Sequence, residues 1–69
     1  EKPCHEKLSN REYQVMCMCA SGKNVKTIAT ELSLSMQTVS TYRKRILEKM
    51  GMSTINEVIR YALNKGLVE

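Results

Sequence analysis

Ser40, Thr41 and Lys44 are the residues of this chain best suited to touch another molecule specifically. They stand at i, i+1 and i+4, a spacing that gathers them on one side of a helix. Two hydroxyls and an ammonium there can address the edges of DNA bases, with Lys44 aimed at guanine O6 or N7. Gln37 and Glu48 fall on the same side. Arg45 lies about 100° further round than Lys44, toward the flank. A phosphate is the nearer target at that margin, for Arg45 and for Lys49 beyond it. The plainer reading, an amphipathic helix with a solvated charged face, stays open on these residues alone.

Other chemistry finds little support. There is one His, and no paired carboxylates, Gly-rich phosphate cradle or nucleophile beside a base, so the chain does not read as an enzyme. The cysteines, Cys4, Cys17 and Cys19, are odd in number. Cys4-His5 offers two metal ligands without a matching second pair, so neither zinc nor any other cofactor is expected. Cys19 reads as a small core residue and the other two as incidental thiols. Reduced thiols without a disulfide framework fit a cytoplasmic protein.

The candidate surface needs a helix over residues 36–50, and the sequence supplies one. Ser35 is a suitable N-cap, Leu34 and Val39 can staple its first turn, and Gly51 stands where a left-handed C-terminal cap belongs. Such a helix is about 22 Å long. Val39, Ile46 and Met50 share the face opposite the candidate residues, with Leu47 at its edge. Charge adds to this. Residues 1–22 and 51–69 are each neutral. Residues 23–50 hold Lys23, Lys26, Arg43, Lys44, Arg45 and Lys49 against Glu31 and Glu48, and so carry the whole net charge of +4. A localised basic patch is the footprint of a polyanion-binding surface, most often one for nucleic acid.

The remaining elements follow from caps and periodicity. Ser9 and Glu12 form a capping box, after which Val15, Met16 and Cys19 make a buried stripe that Gly22 ends. Glu12 lies near the middle of that stripe, where a lone carboxylate is expected to hydrogen-bond rather than catalyse. Asn24 caps a second helix carrying Val25, Ile28, Ala29 and Leu32. Only Ser33-Leu34-Ser35 separates it from the third, the spacing of a helix-turn-helix. Thr54 and Glu57 box the start of a last helix bearing Ile55, Val58, Ile59, Ala62 and Leu63. Gly66 ends it, and Leu67 can fold back. No strand pattern appears, so the expected class is all-α: four short helices with a central helix-turn-helix. Residues 1–7 read as the end of a linker and residues 8–69 as one domain. With 69 residues and no Phe or Trp, the core must be aliphatic and small. No apolar run is long enough to span a membrane, and no signal-peptide pattern is present. Opening on Glu1 rather than Met, the chain is expected to be part of a longer protein.

Leu8-Ser9-Asn10-Arg11-Glu12, Asn24 to Ala29, Leu34 to Tyr42 and Leu47 to Gly51 together resemble the LuxR-type (FixJ/NarL-like) helix-turn-helix domain, from Leu8 to about Leu67. The resemblance implies the sequence-specific, double-stranded-DNA-binding output module of a bacterial transcription regulator, with helix 36–50 in the major groove. Such a module commonly follows a phosphorylatable receiver domain, as expected here for a two-component response regulator, or an autoinducer-binding domain in the quorum-sensing branch. By the same resemblance Ser40, Thr41 and Lys44 face bases, while Asn24, Thr38 and Tyr42 meet the DNA backbone. It also implies a homodimer contact on the last helix, with Ile55, Val58, Ile59 and Ala62 as candidates, and RNA polymerase as a possible further partner. Three positions depart from the family pattern. Tyr42 stands where His is frequent, and its hydroxyl can still donate to a phosphate. Ser40 stands where Lys is frequent, so no particular DNA sequence preference carries over. Ser33 stands where Gly is frequent, at a turn expected to need positive φ. The alternative is a helical, sigma-factor-like interaction module whose basic face binds an acidic protein, with binding insensitive to DNA competitors.

Overall fold

The computed structural model describes residues 4–67. Four α-helices follow one turn of 3-10 helix: α1 is Asn10–Ala20, α2 Val25–Leu32, α3 Met36–Met50 and α4 Ile55–Asn64. The turn, Cys4–Lys7, covers residues read from sequence as the end of a linker, and it lies against α3. Each helix starts on the residue whose side chain can accept a first-turn N–H. Ser9, Asn24, Ser35 and Thr54 are the N-caps, and both capping boxes, Ser9 with Glu12 and Thr54 with Glu57, are closed.

The core is one aliphatic cluster. Val15, Met16 and Cys19 of α1 meet Ile28 and Ala29 of α2, Val39, Ile46 and Met50 of α3, and Val58 of α4. α1 packs on both α3 and α4, and α2 packs on α3. Helix α3 therefore buries one stripe and leaves its opposite face clear.

The turn between α2 and α3 has no spare residue. Ser33 ends α2 in the left-handed region, at φ 57 and ψ 42, alone among the described non-glycine residues in having positive φ. Its N–H bonds to the Thr30 carbonyl at 3.3 Å, and the Leu34 N–H bonds to Ala29 at 2.8 Å. The end of α3 uses the same closure on Gly51, whose φ is 67, where a missing Cβ makes the conformation free of strain. At Ser33 the helix end demands left-handed backbone from a residue that resists it. The positive φ expected there is present.

The last helix corrects one expectation. Val58 and Ala62 are fully enclosed by the chain's own core, at 0% exposure, because α4 lies along α1. They are removed from any contact with a second copy. Ile55 and Ile59 are half-buried, and Leu63, at 49% exposure, is the apolar residue of α4 most open to solvent.

Candidate nucleic-acid interface

The exposed face of α3 is held by its N-terminal cap. Ser35 Oγ accepts from the Thr38 N–H at 3.0 Å and shares a hydrogen bond with Thr38 Oγ1 at 2.8 Å. That bond ties the half-buried Thr38 to the cap. One turn on, Thr41 Oγ1 donates to the Gln37 carbonyl at 3.0 Å, leaving its lone pairs to accept from a base or phosphate. Ser40, Thr41, Lys44 and Arg45 are all exposed. Tyr42 is half-buried and packs its ring on the core. Asn24 is exposed at the start of α2. Its Oδ1 accepts from the Thr27 N–H at 2.8 Å, so the amide nitrogen remains a donor.

Lys49 has another task. Its Nζ lies 2.7 Å from Oε1 of Glu12, which is 3% exposed, so the Lys49 ammonium is engaged within the chain. The same Glu12 oxygen accepts from the Ser9 N–H at 2.9 Å. Burial pushes the Glu12 carboxyl up, but the hydrogen bond and charge of Lys49 and the two bonds with Ser9 outweigh it. Together they hold the group below the usual carboxylate range. The hydrogen-bonding role expected of Glu12 is present, and its partner, 37 residues away, leaves no local signal in the sequence. A carboxylate inside an apolar stripe was the available sign that some cation had to come to it.

The charge map sharpens accordingly. Lys23 pairs with Glu31 at 2.6 Å, and both ends are exposed, so the pair adds little stability. Lys26, Arg43, Lys44 and Arg45 remain as the middle-segment cations outside the ion pairs of the described residues. Arg43 was read from sequence only as one charge among six. It is half-buried, and its Nε is enclosed without a hydrogen-bond partner. It lines a cleft of about 390 Å³ with Asn24, Val25, Lys26, Met36 and Ile59. A second cleft, of about 310 Å³, places it with Ser40, Lys44, Ser53 and Thr54. Burial pushes the Cys19 thiol up, partly offset by the nearby Arg43 charge, as suits an unreactive core residue. Cys17, read as incidental, is half-buried and packs against the core.

A basic-faced helix set behind a three-residue turn, over an aliphatic core, recurs in known proteins. Residues 6–62 match the model GerE, described as bacterial regulatory proteins of the luxR family. The chain belongs to the luxR family. Response regulator GacA of Pseudomonas viridiflava is 42% identical over 62 residues, covering 90% of this chain and 29% of that protein. Transcriptional regulatory protein LiaR of Bacillus subtilis is 38% identical over 64 residues, covering 93% of this chain and 30% of that protein. Oxygen regulatory protein NreC of Staphylococcus aureus is 37% identical over 62 residues, covering 90% and 29%. The chain thus spans less than a third of the length of these relatives. As a luxR-family domain it is a DNA-binding helix-turn-helix unit of a transcription regulator, with α2 and α3 as the motif. The family is one of regulators rather than enzymes. No helix among the described residues is long and apolar enough to cross a membrane.

Proposed function

We propose that the chain is the output domain of a two-component response regulator, acts in the cytoplasm, and reads double-stranded DNA by laying α3 in the major groove. The carrying observation is the exposed face of α3, where Ser40, Thr41 and Lys44 stand beside cations that no ion pair of the described residues engages. Ser40, Thr41 and Lys44 face base edges in this reading. Asn24, Thr38, Tyr42 and Arg45 meet phosphates, the first at the N-terminus of α2, where backbone N–H groups favour anions. The response-regulator part rests on the name of the relative GacA, and the printed names of LiaR and NreC say regulatory protein. Two copies pair weakly through the exposed part of α4, around Leu63, and each reads one half-site. RNA polymerase is a further partner of the assembled regulator.

The test is selection of duplexes from a randomised library, followed by titration of selected and random DNA at several salt concentrations. A selected duplex bound far more tightly than random DNA is expected, with affinity falling steeply as salt rises. Binding to an acidic protein that DNA competitors leave unchanged would instead favour a protein-interaction module. Sedimentation on a two-half-site duplex checks the pairing, and one protomer per duplex at saturation refutes it.

A further inference from the structure

A helix lying in a major groove has a sugar-phosphate strand on each side. The phosphate candidates of α3 occupy one side only. Measured round the helix from Thr38, Tyr42 falls at about +40° and Arg45 at about −20°. Lys49 lies on that same flank and is engaged with Glu12. Arg43 is about 140° from Thr38, on the opposite flank, beside Met36 and Leu47. It is the cation of that flank.

From this placement we infer that Arg43 seats a DNA phosphate of the second strand. The inference rests on the DNA-binding reading above and adds a contact that reading lacks. Independent observations converge on it. The side chain belongs to neither ion pair of the described residues, so its charge is uncompensated at close range. Its Nε is enclosed without an acceptor, so packing rather than hydrogen bonding fixes the stem, and the guanidinium is held in position before a ligand arrives. It lines both clefts beside α3, one shared with Ser40 and Lys44 of the reading face, the other with Asn24 and Lys26 at the start of α2. The position is thus continuous with the base-facing residues on one side and with the N-terminus of α2 on the other. A phosphodiester suits it. The anion answers Arg43 and Lys26, while the sugar can rest on the apolar walls given by Val25 and Met36.

The experiment uses the selected duplex, with phosphates randomly ethylated and the interference pattern read on each strand, for the wild type and for Arg43→Gln, Arg43→Lys and Arg45→Gln. Ethylation on both strands should block the wild type. Within each half-site, interference in Arg43→Gln should vanish at phosphates of one strand and persist on the other, and Arg45→Gln should show the converse. Arg43→Gln should weaken selected and random duplexes alike, by roughly tenfold, the order of one charge-assisted hydrogen bond. It should also reduce the salt slope by about one unit. Arg43→Lys should keep the slope. A merely structural role for Arg43 would weaken interference on both strands together, and that result would overturn the inference, as would a wild-type pattern in Arg43→Gln. Failure to select any duplex would overturn the DNA-binding reading and this inference with it.

Discussion

Lys49→Met removes a charge from the wrong end of an unequal pair. The Lys49 side chain is 42% exposed, while that of Glu12 is 4% exposed. Deleting the lysine head leaves a carboxylate inside the protein with only Ser9 to answer it. Deleting the Glu12 charge, by Glu12→Gln, leaves an ammonium that water can solvate. Breaking a fully buried pair costs about 3–5 kcal/mol, and the exposure of Lys49 discounts this. About 2 kcal/mol is expected for Lys49→Met, the scale of one hydrogen bond to a charged group, and about 1 kcal/mol for Glu12→Gln, which keeps an oxygen for the Ser9 N–H. Thermal unfolding followed by circular dichroism should show losses of roughly 8–16 °C and 4–8 °C for a domain of this size.

The pH dependence carries the same logic. Because the Glu12 carboxyl is held below its ordinary value of 4.5, it contributes stability that is fully present above that pH and is lost as pH falls through the folded-state value. Without Lys49 the folded-state value rises, so the acid-side loss of stability should shrink. Salt dependence of DNA binding should stay near wild type, since Glu12 already engages the Lys49 charge. An equal cost for the two variants, or a salt slope reduced by about one unit in Lys49→Met, refutes the reasoning.

Other outcomes follow from the same structure. Ser33→Gly should stabilise by about 0.5–1 kcal/mol, the relief of left-handed strain less the added freedom of the unfolded chain, read as a melting point a few degrees higher. Lys44→Ala should cost about 1–3 kcal/mol on a selected duplex and much less on random DNA, lowering the specificity ratio. Arg45→Ala should weaken both duplexes about equally and flatten the salt slope by roughly one unit, as titrations on each would show. Cys19→Ser should lower stability by about 1–3 kcal/mol in chemical denaturation, through a buried hydroxyl without a partner.

Local signals carried far in this chain. Ser9, Asn24, Ser35 and Thr54 each start a helix because a first-turn N–H needs an oxygen within a few residues, and that need is written in adjacent sequence. The strain at Ser33 was legible for the same reason. What escaped was set by distance along the chain. Lys49 looks like any margin cation until α1 brings Glu12 to it. Val58 and Ala62 belong to an apolar stripe wider than one face needs, and only the packing of α4 along α1 decides which of its members are enclosed. Arg43 counts as one charge until the clefts on either side of it exist.

The three-residue turn also fixes rotational phase. Ser33 closes α2, Leu34 bonds back to Ala29, and Ser35 caps α3, so every residue between the helices is held by backbone geometry. One residue inserted there would break the closure that Ser33, Leu34 and Ser35 make and would release α3 from its set orientation on the core. Substitution on that face is a different matter. Ser40 and Lys44 project from a scaffold whose caps and packing do not involve them. Such a chain can change the sequence it recognises by exchanging surface side chains, with its fold as a fixed chassis, while changes of length in the turn are closed to it.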